Sequence, residues 1–320
     1  ANKLEFDNFQ PDSSVINYEN NDFLIIYSSG TTGDPKGILF SSDSFLKSSQ
    51  SFSGLAGYDE QTKIFHCLPM FYMAGILNTF FACLFSGSTA VIGEKASISN
   101  ILNFWELPKK FNVNSLHLTP SIVGSICEMY RPNLEINKHV HEYKSIISTG
   151  SYLYPEIQEK FYKIFNKRVL SCYGVTELGG PLTIQSWEDT FDDYCVGSHA
   201  NEVSVKIKSD KDNINLITIN SPFIMKGYLG KNGLEKPVLD NGFYNTEDIG
   251  EYKNGLLFIS GRTRDIIKKG GELISLSYIE SVTLKLEGVL EAAAVGKKNL
   301  LSGEDLYLFV TIKGKFKLEE

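Results

Sequence analysis

YSSGTTGDPKG, residues Tyr27 to Gly37, is the stretch on which the reading of this chain turns. Upstream, Phe23, Leu24, Ile25 and Ile26 form a short apolar run that reads as a buried strand feeding a turn. The turn holds Gly30, Gly33 and Gly37, the hydroxyls of Ser28, Ser29, Thr31 and Thr32, and one cation, Lys36. Glycines let backbone N–H groups approach a ligand closely, hydroxyls add short donors, and lysine adds a mobile positive charge. These are the requirements of a polyphosphate. A Walker loop is excluded because Lys36 follows Pro35 and precedes Gly37 rather than Ser or Thr. A dinucleotide fingerprint is excluded because the Gly-x-Gly-x-x-Gly spacing does not occur here. Read in isolation, the stretch is also a Ser/Thr/Gly surface turn.

Working outward, residues 1–20 read as an irregular lead-in, and Ser41 to Ala56 as a helix with Phe45 and Phe52 on a similar side. Ile64 to Leu68 reads as a strand that runs into LPMFYMAG, Leu68 to Gly75; taken alone, this is a proline-terminated strand with core aromatics. Asn100 to Lys110 reads as a helix with Ile101, Leu102 and Trp105 inward. Leu116 to Leu118 is a strand, and Thr119-Pro120 supplies a helix cap with proline at the first helical position. Ile146-Ile147 is the next strand, followed by STGS, Ser148 to Ser151. A helix then starts near Pro155, with the stripe Ile157, Phe161, Ile164, Phe165 of a helix lying on a sheet. Val169 to Tyr173 returns as a strand and ends in YGVTELGG, Tyr173 to Gly180. Strand, helix and strand in succession imply a parallel sheet with right-handed crossovers, whose ligands collect beyond the C-terminal strand ends.

From Val196 the pattern changes to short alternating strands, which suggests an antiparallel, barrel-like subdomain. It contains FIMKGYLG, Phe223 to Gly230, and YNTEDIG, Tyr244 to Gly250. GRTRDIIKKGGELIS, Gly261 to Ser275, follows. In the helix after it, Ser277 and Glu280 form a capping box, Gly288 is the stop, and Ile279, Val282 and Leu286 face inward. The expected fold is therefore α/β: a parallel-sheet αβα core, a small barrel-like β subdomain, and a small α+β C-terminal domain.

At 320 residues the chain can bury one large core and a small second one, and 42% apolar with 22% charged residues is an ordinary globular balance. A net charge of −7 without a basic face or run argues against nucleic-acid binding. Five scattered cysteines, without CxxC pairs, suggest a reducing compartment and core packing, so a cytoplasmic protein is the default. The sequence holds no apolar run of membrane-spanning length.

The separated signatures from Tyr27 to Ser275, taken in their order, resemble those of the adenylate-forming superfamily, which includes acyl-CoA synthetases, luciferases and adenylation domains of peptide synthetases. The resemblance implies AMP-forming activation of a small carboxylic acid by ATP and Mg2+, followed by transfer to a thiol such as coenzyme A or a carrier protein. A non-catalytic nucleotide-binding module is the competing reading from another class. The resemblance places ATP on Ser28, Ser29, Gly30, Thr31, Thr32, Gly33 and Lys36, with Gly150 and Ser151 flat against the purine and Tyr173 covering it. Gly174 and Thr176 meet the nucleotide, Glu177 holds magnesium, Asp248 takes the ribose diol, and Arg262 contacts ribose or phosphates. A carboxylate suits a vicinal diol because each oxygen can accept one O–H. Lys36, Thr176 and Glu177 are the expected catalytic groups. Phe71, Tyr72, Gly75, Thr119 and Leu178 are expected around the acyl pocket, and FIMKGYLG is expected to be mainly structural.

The same resemblance divides the chain into a large domain (1–260), a hinge (261–265, centred on Arg264) and a small domain (266–320). It also implies a late catalytic lysine. Lys313, Lys315 and Lys317 fall too early in the small domain to be assigned that role. The expectation is a fragment lacking the front and tail of its relatives, which binds nucleotide better than it adenylates.

Overall fold

The structure, a computed structural model, describes residues 21–28, 36–189, 194–230, 233–270, 272–299, 301 and 303–313. Strands β1 (Asp22–Ser28) and β2 (Lys36–Ser41) pair antiparallel, and β2 leads into helix α1 (Ser42–Leu55). Residues 29–35 lie outside the described residues. Ser41 caps α1 by accepting from the Ser44 N–H at 3.2 Å, and Phe45 and Phe52 are fully buried on its inner side. The run Phe23 to Ile26 is not a buried strand. It is an edge strand: Phe23 and Ile25 are each 44% exposed, while Ile26 is buried and Leu24 packs half-buried against the same core. A short apolar run reads the same whether one or both of its faces are covered.

The parallel core follows. It comprises β3 (Lys63–His66), a π-helical stretch Ala74–Phe81 running into α2 (Ala82–Ser86), and β4 (Thr89–Ile92). Next come α3 (Glu106–Phe111), β5 (Ser115–Leu118), α4 (Pro120–Glu128), α5 (Leu134–His141), β6 (Ser145–Ser148), α6 (Pro155–Phe165) and β7 (Leu170–Val175). These strands lie in the order β4-β3-β5-β6-β7, all parallel. Successive side chains of a strand point to opposite faces, so the sheet feeds two cores. Phe65 and Ile146 enter the core under α3 to α6, which holds Trp105, Phe161 and Phe165. Ile64 and Ile147 enter the other, with Phe45, Phe52 and Leu77. The helix expected over 100–110 is broken: a single 3-10 turn, Ile101–Asn103, precedes α3, and Leu102 faces outward at 51% exposure.

Strands β8 (Gly180–Ile184) and β9 (Cys195–His199) turn the sheet antiparallel, and β10 (Ser204–Ser209) and β11 (Asn215–Asn220) extend it. β12 (Gly227–Gly230) leaves to pair with β2 and with β13 (Gly233–Glu235). β14 (Leu239–Asp240), β15 (Phe243–Lys253) and β16 (Leu256–Arg262) complete the sheet. The antiparallel part is thus hydrogen-bonded to the parallel part as one twelve-stranded sheet, with its own core of Tyr173, Leu178, Leu182, Ile217, Ile219 and Leu257.

A 3-10 turn, Thr263–Asp265, then leads to a separate four-stranded sheet of β17 (Ile266–Lys269), β18 (Glu272–Ser275), β19 (Val289–Asn299) and β20 (Gly303–Ile312), with α7 (Leu276–Leu284) packed on β19. The α7 cap is Ser275, which accepts from the Tyr278 N–H; the Ser277–Glu280 box does not form. Glu280 instead accepts from the Ala294 N–H at 2.8 Å, a bond across to β19 that offers its carboxylate a tertiary partner. Val282 and Leu286 face outward, at 43% and 60% exposure.

All five cysteines are buried and remain thiols. Burial pushes Cys67, Cys83 and Cys172 up to about 12 and Cys127 to about 11. No helix among the described residues is long and apolar enough to cross a membrane.

Candidate active site

The C-terminal end of β7 and the outer part of β15 bring two clusters of polar side chains side by side. In the first, Asp248 of β15 is 1% exposed and receives two hydrogen bonds. The Tyr173 hydroxyl donates to Oδ2 at 2.6 Å, and Arg262 Nε donates to Oδ1 at 2.6 Å. The strand pairing fixes the second contact, since Asp248 lies opposite Arg262 in the β15–β16 register. The Asp248 N–H also donates to Thr246 Oγ1. Burial raises the carboxyl above its ordinary value, against the opposing pull of Arg262 and Tyr173. Each carboxylate oxygen carries two lone pairs, so both retain acceptor capacity for further O–H donors.

In the second cluster, the Tyr228 hydroxyl of β12 donates to Glu177 Oε1 at 2.9 Å and meets the Tyr244 hydroxyl of β15 at 3.2 Å. Lys36 Nζ, at the start of β2, lies 5.3 Å from the centre of the Tyr228 ring. The two clusters are neighbours because Tyr173 and Glu177 are four residues apart, as are Tyr244 and Asp248. Glu177 sits in a 3-10 turn, Thr176–Leu178, that is pinned at three consecutive carbonyls. The Met225 N–H donates to the Glu177 carbonyl at 2.8 Å, the Ser221 hydroxyl to that of Leu178 at 3.2 Å, and the Ser48 hydroxyl to that of Gly179 at 2.8 Å.

Further along the sheet edge, Gly150 follows β6 with φ +96°, and a Cβ there would lie 2.6 Å from the Tyr72 hydroxyl. Glycine is required at this position both by the left-handed backbone and by the tyrosine stacked against it. Tyr72 is 38% exposed, whereas Phe71, at 80%, points to the surface. Gly75 approaches the Pro69 carbonyl so closely that a Cβ would lie 2.0 Å from its oxygen.

Other expected residues are placed differently. Ser29, Gly30, Thr31, Thr32 and Gly33 lie outside the described residues, and for Ser28 only the strand backbone is described. Thr119 precedes α4, but its hydroxyl pairs with Ser121 Oγ at 2.9 Å instead of capping the helix N–H groups. Leu178 is fully buried in the third core. The Tyr173 ring is packed in that same core, 8% exposed, with its hydroxyl committed to Asp248. A cavity of about 540 Å3, lined by Pro120, Gly124, Ser151, Tyr152, Tyr154 and Ile157 among others, takes in Ser151 and none of the other expected site residues. Arg264 lies in the turn between the two sheets, its Nε 3.9 Å from Asp265 Oδ1. Tyr228 and Tyr244 were not singled out by the sequence; nothing local distinguishes them from strand aromatics, and only tertiary pairing brings β12 beside β2.

This arrangement can hold a ribose at a buried carboxylate and anionic oxygens near a lysine and a carboxylate. Among the described residues no three His, Cys, Asp or Glu side chains cluster as a closed metal cage.

The chain belongs to the AMP-binding enzyme family, whose profile matches residues 2–229. It is 26% identical over 320 aligned positions to the chloroplastic/peroxisomal 2-succinylbenzoate–CoA ligase of Arabidopsis thaliana, covering 92% of this chain and 56% of the relative. Among solved structures it is similar to ATP-bound MatB from Rhodopseudomonas palustris, with TM-score 0.81, 22% identity, and coverage of 92% and 59%. It is likewise similar to the o-succinylbenzoate coenzyme A synthetase MenE of Bacillus subtilis in complex with ATP and magnesium, with TM-score 0.77, 24% identity, and coverage of 92% and 60%. The chain thus spans little more than half the length of the curated relatives it matches.

Proposed function

We propose that this chain carries the nucleotide-binding part of an AMP-forming acid–thiol ligase. What supports the reading above all is that Lys36, Tyr173, Glu177, Asp248 and Arg262, from four separate stretches, form two adjoining polar clusters. Asp248, fixed by Tyr173 and Arg262, accepts the ribose hydroxyls. Gly150 and Ser151 offer flat backbone to the purine. Lys36 and the hydroxyls of 28–32 neutralise the polyphosphate, and Thr176 donates to a phosphate oxygen. Glu177 holds the magnesium ion, which when bound neutralises charge on the phosphates and the departing pyrophosphate. The substrate carboxylate attacks the α-phosphorus, pyrophosphate leaves, and a mixed anhydride with AMP remains. A thiol then attacks the acyl carbon and AMP departs. The protein's contribution is positioning and charge neutralisation.

The CoA-ligase names of the relatives favour coenzyme A as the thiol and a small carboxylic acid as the substrate, with Tyr72 against Gly150 forming one wall of its pocket. The turn at Arg264 serves as the hinge between residues 1–260 and 266–320. Five buried thiols support a reducing compartment, the cytoplasm.

ATP–pyrophosphate exchange on the full-length gene product, with a panel of carboxylic acids, tests the reading. Exchange stimulated by one of them is the expected result. ATP binding with no exchange for any acid leaves a nucleotide-binding module instead. Discharge of the adenylate by a phosphopantetheinyl protein and not by coenzyme A would reassign the acceptor to a carrier protein.

A further inference from the structure

Tyr228 is unusual in touching both charged groups at the phosphate end of the site. Its hydroxyl reaches the Glu177 carboxylate, and its ring face lies under the Lys36 ammonium. The backbone is built to put it there. β12 pairs with β2 so that Tyr228 lies opposite Ile38 and Leu229 opposite Gly37, the two positions after Lys36. The residue before it, Gly227, passes so close to β13 that a Cβ would lie 2.3 Å from the Glu235 carbonyl oxygen. The same segment also holds the Glu177 main chain, through the Met225 N–H. Glu177 is thus fixed at backbone and side chain by residues 225–228.

The hydroxyl has a defined direction. With its proton given to Glu177 Oε1, the Tyr228 oxygen is left to accept from the Tyr244 hydroxyl. A carboxylate whose Oε1 is oriented in this way presents Oε2 in a set direction. Such outer partners of a metal-binding carboxylate typically change metal affinity about 10- to 100-fold when removed.

We propose that Tyr228 is the positioning residue of this site, setting the Glu177 carboxylate through its hydroxyl and the Lys36 ammonium through its ring. The inference rests on the proposed nucleotide-binding function and adds to it a residue that touches neither the ribose nor the acyl end. It divides the role between two parts of one side chain, and substitutions can separate them. Tyr228→Phe keeps the ring beneath Lys36 and removes the bond to Glu177. Tyr228→Leu removes both.

The test is titration of the full-length protein with ATP, with and without Mg2+, followed by calorimetry and by ligand-induced shift in melting temperature. Tyr228→Phe is expected to bind ATP alone as the wild type does, and to need about tenfold or more Mg2+ to reach the same Mg-dependent gain. Tyr228→Leu is expected to weaken ATP binding in the absence of Mg2+ as well. An unchanged Mg2+ midpoint in Tyr228→Phe overturns the inference while leaving the nucleotide site standing. Failure of the wild type to bind ATP under either condition overturns the site and the inference together. If Tyr228→Phe melts far below the wild type, the same titrations are run on both proteins in the cold, below its melting transition, where an unshifted Mg2+ midpoint overturns the inference equally.

Discussion

Tyr173 of β7 and Asp248 of β15, 75 residues apart in sequence, share a 2.6 Å hydrogen bond in which a buried phenol donates to a buried carboxylate. The bond ties the parallel half of the sheet to the antiparallel half at the point where the site forms. Burial and the neighbouring Asp248 hold the Tyr173 phenol well above its ordinary value, so it stays protonated and remains a donor. Tyr173→Phe leaves the buried carboxylate with one partner fewer, and should cost about 1–3 kcal/mol in chemical denaturation. Asp248→Asn should weaken ATP binding about tenfold or more in calorimetric titration, since bonds to a charged acceptor are worth about 1.5–3 kcal/mol. An unchanged ATP affinity would remove Asp248 from the ribose site.

Lys36 is exposed, and its ammonium packs over the Tyr228 ring. A cation over an aromatic face at an open position is worth about 0.5–1 kcal/mol. Lys36→Ala should therefore lower thermal stability slightly while weakening ATP binding strongly. A loss of fold matching the loss of binding would mark the residue as structural.

Gly150 makes a steric prediction that a double mutant can resolve. Gly150→Ala meets two obstacles: a left-handed backbone, costing about 1–2 kcal/mol for an L side chain, and the Tyr72 hydroxyl 2.6 Å from the new carbon. Placing Gly150→Ala in a Tyr72→Phe background removes the second obstacle only. Chemical denaturation should show the pair to be less destabilised than the sum of the singles. Strict additivity would mean that the two residues are not in contact.

His117 sets an acid limit on stability. It is fully buried on β5, accepting at Nε2 from the Asn78 amide at 3.1 Å, and burial pushes its pKa down to about 3. The unfolded imidazole titrates near 6.5. Below that pH the unfolded chain takes up a proton that the folded chain refuses. The stability present above pH 6.5 therefore drains away as pH falls toward 3, by about 1.4 kcal/mol per unit. Between pH 7 and pH 5 the wild type should lose about 2 kcal/mol more than His117→Gln does, measured by urea denaturation at each pH. Parallel pH profiles would show that His117 is protonated in the fold.

The parallel core was legible because its signals are local and redundant. Pro120 and Pro155 open helices, Phe161 and Phe165 repeat on one face of α6, and short β-branched runs alternate with these helices. Asp248 and Lys36 were singled out through motifs that resemble those of a known family, and the structure places them in two adjoining polar clusters. What sequence could not supply was partnership across the fold. Phe23 and Ile25 read as core because a run cannot say whether a second layer covers it. Glu280 read as a cap, but Ala294 of a later strand competes for its carboxylate. Tyr228 read as scaffold, although the pairing of β12 with β2 carries its hydroxyl to Glu177.

The five sequestered sulfhydryls give this molecule a built-in reporter. Each lies within a packed layer, and burial holds Cys67, Cys83, Cys127 and Cys172 far from the thiolate form. Thiolate is the form that alkylating reagents capture. In the native chain, labelling must therefore wait for a transient opening, and its rate counts those openings directly. Because Cys83 and Cys172 belong to one core, Cys127 to another and Cys195 lies on β9, the order in which they are modified would say which layer parts first.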